Sequence, residues 1–354
     1  MSANYSGLDD DRIFAIVQDN YLFSDNIQDI SRSCFGSSNE IFIIALKFKP
    51  GLIIRIYNPK EYKKKPKYIQ IELSILELLK ENHFPVPEII KTKSNSNFFN
   101  WESSHAQGLG SVFTKEPGEI KVHFVEENSY AIARFLGQFH KFAAVFTLDA
   151  SESIKKIEKS MEKLKPTPNI QKIKSSMRNR LPAFTSCNGE ISKQQSKNIE
   201  LLLEIEESIL QTGINEYLTQ AEIGIIHMDI QNFNVLWEGD VISAILDWEE
   251  TRKGYLLWDL GFTALYWSIS STSKTFSYET FCKFLNEYET IKPFTEHDRI
   301  VFPYILLIVW FRTIKWLIRE DNRIVPVLSE FLTVLLESLM LLTTNNFFKP
   351  IKSY

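Results

Sequence analysis

Residues 225–250 read IIHMDIQNFNVLWEGDVISAILDWEE. An island of His, Asp, Gln and Asn lies between two apolar runs, and the second run ends in Asp247-Trp248-Glu249-Glu250. These residue types fit phosphoryl transfer from a nucleotide. That reaction needs a carboxylate to receive or orient the acceptor hydroxyl proton, oxygen ligands for Mg2+, and a cation to steady the phosphates. His227, Asp229 and Asn234 stand at the His-x-Asp-x4-Asn spacing of a phosphoryl-transfer catalytic loop. The next segment, VLWEGDVISAIL, reads as a hairpin turning at Glu238-Gly239-Asp240. Its arms are similar in length, so it returns Asp247 to the neighbourhood of Asn234, and two oxygen ligands for Mg2+ converge near the base. The plainer reading has His227 and Asp229 capping a turn while Asn234 satisfies buried backbone groups. The strand, hairpin and terminal Asp favour the catalytic reading.

The elements that must position these residues are legible on either side. LDDDRIFAIVQDNY reads as a short amphipathic helix with acidic residues at its N-terminal end. EIFIIALKFKPGLIIRIYN (40–58) shows two β-rich runs around Pro50-Gly51, and KYIQIELSILELLKEN (67–82) has apolar residues at helical spacing. PVPEII (85–90) and GSVFTKEPGE (110–119) read as extended. After Pro117-Gly118 the pattern turns helical, with helices over 129–146 and 192–211 and a mostly helical, aromatic-rich end from about residue 259. The Lys/Arg-rich stretch 155–180 reads as a solvated helical face before it reads as a phosphate or acidic-partner site.

Composition sets the outer bounds. With 354 residues, 44% hydrophobic and 24% charged, the chain has the make-up of an ordinary globular protein large enough for substantial cores. A net charge of −4 gives no general affinity for nucleic acid or anionic membrane. The cysteines (Cys34, Cys187 and Cys282) are scattered and odd in number, which fits a reducing compartment and offers no zinc spacing. The polar, acidic start is not a secretory or transit signal, and the apolar run 303–311 is too short to span a bilayer. The expectation is a cytoplasmic protein, monomer or homodimer, with no nucleic-acid or membrane partner.

These motifs together resemble the aminoglycoside phosphotransferase superfamily, including its choline kinase-like and homoserine kinase-like members. The resemblance covers roughly residues 30 to 320. It implies an α+β, bilobal protein-kinase-like fold. A small N-terminal antiparallel sheet with an αC-like helix would form one lobe (1–115), and a larger, mainly helical part the other (116–354), with a hinge at 113–118. GSSNEIFIIAL is similar to the nucleotide-covering hairpin, with Ser37, Ser38 and Asn39 at its turn. GLIIRIYNP is similar to the third strand, ELSILELL to the αC-like helix, and FTKEPG to the hinge whose backbone receives adenine, at Thr114, Lys115 and Glu116. The resemblance makes Asp229 the base and Asn234 and Asp247 the Mg2+ ligands, with Glu72 anchoring the basic residue of the third strand. His227 would hold the loop through hydrogen bonds, Asp259 in GYLLWDLGF would buttress it, and His140 in ARFLGQFHKF would pack behind the site.

Two positions depart from the family pattern. The strand residue that is usually Lys is Arg55, whose fork differs from an ammonium, and Met228 stands where many relatives have Gly. A protein kinase would carry Asp-Phe-Gly, an activation segment and Ala-Pro-Glu. This chain has Asp-Trp-Glu and reaches its next helical stretch within about ten residues, which leaves a small-molecule alcohol as the better acceptor. The resemblance implies ATP or GTP as donor with Mg2+, and an amino alcohol, a hydroxy amino acid such as homoserine, a sugar or an aminoglycoside as acceptor. Glu249 and Glu250 either bind a cationic substrate or form an exposed acidic turn. The alternative is a nucleotide-binding pseudokinase with a regulatory or scaffold role, for which Arg55 is the one supporting residue.

Overall fold

A computed structural model describes residues 6–23, 26–33, 39–58, 66–104, 106–146, 220–317 and 334. Ser37 and Ser38, the basic stretch 155–180 and the expected helix 192–211 lie outside the described residues. The chain divides into two compact units. The first runs to Ile120 and takes in Asn234–Glu249; the second comprises Lys121–Phe233 and the chain from Glu250 onward.

The first unit is built on an antiparallel sheet. Its main path is β1 (Ile27–Arg32), β2 (Glu40–Leu46), β3 (Leu52–Ile56), β6 (Gln107–Thr114) and β4 (Ile89–Ile90), with β5 (Phe99–Glu102) also paired to β6. Strict alternation along β2 and β3 sends Phe42, Ile44, Leu52, Ile54 and Ile56 to one buried face. There they meet Ile13, Ile16 and Val17 of α1 (Asp10–Asn20) at helical spacing. Helix α1 starts where Asp9 caps it, accepting the Arg12 N–H at 2.8 Å, and Asp10 and Asp11 complement its dipole. The odd residues of β3 are left for the opposite face, where Arg55 lies. Helix α2 (Pro66–Glu81) carries buried Ile69, Leu73, Leu76 and Glu72.

A second, three-stranded sheet of this unit orders β10 (Val241–Ile245), β9 (Val235–Glu238) and β7 (Glu119–Ile120). The β9–β10 hairpin turns at Gly239-Asp240, with Gly239 at φ 61°. At Gly118, φ is 97° and an added Cβ would stand 2.5 Å from the Trp237 carbonyl oxygen, so only glycine brings β7 against β9.

In the second unit, α3 (Glu126–Phe146) packs on α5 (Tyr278–Ile291), closely enough at Gly137 that a Cβ would meet Ile291 at 2.9 Å. Helix α4 (Leu256–Trp267), buried along most of its length, packs on α6 (Glu296–Leu317). A short antiparallel pair, β8 (Ile223–Ile226) with β11 (Arg252–Tyr255), frames the segment that carries His227 and Asp229. Among the described residues no helix is long and apolar enough to cross a membrane.

Candidate active site

In the first unit a single guanidinium gathers the candidate residues. Arg55 lies on β3 opposite Ser111 of β6. Its Nη1 donates to Glu72 Oε1 at 2.7 Å, and its Nη2 donates to Asp247 Oδ1 at 2.8 Å and Glu249 Oε2 at 3.1 Å. Three carboxylates around one cation leave excess negative charge. The Arg55 pKa is held above its ordinary value: burial opposes the charged form, but Glu72 and Asp247 outweigh it. Glu72, almost fully enclosed, has its carboxyl pushed up to about 7 by burial, and by Asp247 and Glu249, against the opposing pull of Arg55. Asp247 and Glu249 keep 34% and 32% of their side chains exposed, so a ligand can reach them where it cannot reach Glu72.

The hairpin explains how Asp247 arrives there. The Leu246 N–H donates to the Asn234 carbonyl at 2.8 Å, closing the base of the β9–β10 ribbon beside both candidate oxygen ligands. Asp247 then takes φ 62°, a left-handed conformation that Asp tolerates better than most residues, and the chain swings away into a short 3-10 turn, Trp248–Glu250. Asn39, next to the start of β2, ties in from the other direction. Its Nδ2 donates to Glu249 Oε2 at 2.9 Å and its Oδ1 accepts the Asn58 N–H at 3.2 Å. Sequence reasoning left Glu249 open between a substrate contact and an exposed turn; its carboxylate meets Asn39 and Arg55. Glu250 belongs to the second unit, where it pairs with Arg252 at 3.5 Å.

Beyond β6, the Thr114 N–H is taken by the Glu88 carbonyl at 2.9 Å and the Lys115 N–H by the Gly51 carbonyl at 3.0 Å. Glu116 accepts from Thr114 Oγ1 at 2.5 Å and from Lys80 at 3.5 Å, while its backbone N–H meets no acceptor among the described residues.

The second unit holds Asp229 by a different device. Asp259, near the start of α4 and fully buried, accepts the backbone N–H groups of His227 and Met228, each at 2.8 Å, and lies 3.2 Å from His140 Nε2. Burial alone would raise the Asp259 carboxyl, but hydrogen bonding and charge from His140, with the His227 contacts, hold it below its ordinary value. His140 Nδ1 meets the Tyr288 hydroxyl at 2.9 Å. The chain then turns at Met228 with φ 72°. This left-handed value is one that glycine adopts without strain and that Met holds at a cost. His227 Nδ1 accepts the Asp229 N–H at 3.2 Å, and Gln231 Nε2 donates to Asp229 Oδ2 at 3.3 Å. Asn232 donates to the Lys121 carbonyl and accepts from the Tyr266 hydroxyl, and Trp267 Nε1 donates to the Ile230 carbonyl. The loop backbone is thus pinned from below by a carboxylate and from the side by α4.

The donor set of Asn234 and Asp247, an amide oxygen and a carboxylate, suits a hard cation such as Mg2+, which is bound by few protein oxygens and completed by phosphates and water. Among the described residues no three His, Cys, Asp or Glu side chains converge on a metal, as a site built by protein alone would require.

Residues 36–293 match the family model of the phosphotransferase enzyme family, and the chain belongs to that family. Its fold is protein-kinase-like, mixed α+β. It resembles choline kinase from Cryptosporidium parvum Iowa II (16% identity, 97% of this chain and 98% of that one, TM-score 0.60). It also resembles an amicoumacin kinase in complex with AMP-PNP and Ca2+ (12% identity, 94% and 93% covered, TM-score 0.60). In sequence, the homoserine kinase of Methylobacillus glycogenes is 22% identical over 142 residues. That match spans 40% of this chain and 42% of the relative's length, less than half of either.

Proposed function

We propose that the protein transfers the γ-phosphoryl group of ATP or GTP to the hydroxyl of a small molecule. The observation that carries this reading is the Arg55 cluster: a buried Arg–Glu72 pair reaches the base of a hairpin that presents Asp247 beside Asn234. A purely structural ion pair has no need of two further carboxylates left a third exposed. The family match across residues 36–293 supports the same chemistry, as does the AMP-PNP and Ca2+ complex of the amicoumacin kinase.

On this reading Asp229 orients the acceptor alcohol and takes its proton as the new O–P bond forms and the bond to the β-phosphate oxygen breaks, releasing ADP or GDP. Arg55 neutralises the α/β-phosphate side, and the Glu116 N–H, which meets no acceptor among the described residues, offers the adenine a donor. Asn39 covers the phosphates together with Ser37 and Ser38. Asn234 and Asp247 would hold Mg2+, which supplies neutralisation of the phosphate charge. His227 and Asp259 keep the loop in place, and Glu250 contacts the acceptor. The expected division is into a nucleotide-covering lobe, 1–115, and a catalytic and substrate lobe, 116–354. The setting is cytoplasmic, as a monomer or homodimer.

Amino alcohols, hydroxy amino acids such as homoserine, sugars and aminoglycosides are the acceptor classes to test. The experiment is ADP and GDP release from MgATP and MgGTP against each class. Acceptor-dependent release with one class supports the reading. Tight nucleotide binding with no release in any class would instead favour a pseudokinase.

A further inference from the structure

The basic residue of β3 is Arg55, and its surroundings are suited to a guanidinium. Tyr57, just past the end of β3 and two residues from Arg55, places its ring centroid 5.7 Å from Arg55 Cζ, within cation–π range. Ser111, directly across the ladder from Arg55, contributes a small, fully buried side chain on the same face of the sheet. The Arg55 Nε, the Tyr57 hydroxyl and the Ser111 hydroxyl are all buried. None of the three has a hydrogen bond of full geometry among the described residues, although Ser111 Oγ stands beside the Tyr57 hydroxyl. The backbone there is fixed, since the Tyr57 N–H donates to the Leu109 carbonyl at 3.0 Å and the Asn58 N–H donates to Asn39. A planar fork needs a flat floor and sends its two terminal nitrogens to different partners, here Glu72 on one side and Asp247 with Glu249 on the other. An ammonium can also sit over an aromatic ring, but as a compact point charge it has no planar face to stack and no fork to divide between fixed partners.

We propose that Tyr57 and Ser111 are positioning residues for Arg55. They form an aromatic floor and a small polar wall that aim a guanidinium, and not an ammonium, at the nucleotide phosphates. This rests on the nucleotide site assigned above. It makes Arg55 one part of a matched set of three residues, so Arg55→Lys alone leaves the floor and wall without the fork they position.

The test is a double-mutant cycle on MgATP and MgGTP binding by the full chain, without acceptor. Tyr57→Leu weakens nucleotide binding about tenfold, the scale of a desolvated cation–π contact. Tyr57→Phe, which keeps the floor, stays within about twofold of wild type. In an Arg55→Lys background, Tyr57→Leu and Ser111→Val each change binding less than twofold, because the floor and wall are shaped to a planar fork. Losses that multiply in the double variant, or an unchanged dissociation constant for Tyr57→Leu, overturn the proposal. If Tyr57→Leu does not fold, Tyr57→Met takes its place in the cycle. Should wild type bind neither nucleotide, the assigned function fails, and the same cycle is then read in thermal unfolding. There the shift from Tyr57→Leu shrinks in the Arg55→Lys background if the floor holds the guanidinium; equal shifts in both backgrounds overturn it.

Discussion

Glu72 is a buried carboxyl whose surroundings disfavour its charged form. Its carboxyl is pushed up from 4.5 to about 7 by burial and by Asp247 and Glu249, with Arg55 pulling the other way. The folded state therefore holds a proton between those values that the unfolded state has released, so stability falls as pH rises from about 4.5 to about 7. Unfolding of the nucleotide-free protein followed across that window is expected to show this decline, and Glu72→Gln is expected to flatten it. A slope unchanged by the substitution would place the titration elsewhere. Met228 poses the opposite problem, a left-handed backbone with a buried side chain. Relief of strain by Met228→Gly is worth roughly 1–2 kcal/mol, while lost burial costs roughly 1.5–3 kcal/mol and chain entropy adds a further cost. The net expectation is a loss of about 1–2 kcal/mol in unfolding free energy. A stabilised Met228→Gly variant would mean that the strain outweighs the packing.

At the scale of elements, α1 and β1 illustrate how the first unit is made. Both precede residue 36, where the family match begins. Yet Ile13, Ile16, Val17 and Tyr21 are buried in one core with Phe42, Ile44, Leu52, Ile54 and Ile56 of β2 and β3. Four such side chains at roughly 1.5–3 kcal/mol each rival the whole stability of a typical domain. Deleting residues 1–33 is therefore expected to abolish cooperative unfolding of this unit in calorimetry; a retained transition at the wild-type temperature would make α1 an appendage. Gly118→Ala is expected to cost about 2 kcal/mol or more in denaturant unfolding, because a Cβ cannot share the space of the Trp237 carbonyl oxygen.

The legibility of these elements followed their periodicity. The amphipathic spacing of α1 and α2, the alternation of β2 and β3, and the turn at Gly239 are all local signals, and each element lies where the sequence pattern points. Strand β1, IQDISR, alternates poorly because it is an edge strand with little to bury. Strand β11, RKGY, has no β-rich composition and exists through its pairing with β8. The contact of Glu249 with Asn39 joins residues 210 positions apart, which no local pattern can announce. Tyr57 and Ser111 went unread for a similar reason. Only the i, i+2 spacing of Tyr57 from Arg55 hinted at a shared face, and Ser111 enters through register alone.

At the scale of the molecule, the chain passes between its two units after Ile120, Phe233 and Glu249. Asp229 thus belongs to one unit, with Asn234 and Asp247 in the other. Each unit fixes its own candidate residues by its own means: a buried carboxylate, Asp259, under the loop in one, and Arg55 at the hairpin base in the other. The proposed division of duties, catalysis to Asp229 of the second unit and nucleotide binding to residues of the first, is therefore open to a clean dissection. The direct measurement is single-turnover transfer of the γ-phosphoryl group to the responsive acceptor by wild type and Asp229→Asn, with MgATP affinity measured alongside. The account expects Asp229→Asn to lose about 10²–10⁴-fold in transfer rate with nucleotide affinity within a fewfold of wild type. Transfer at the wild-type rate by Asp229→Asn would contradict it.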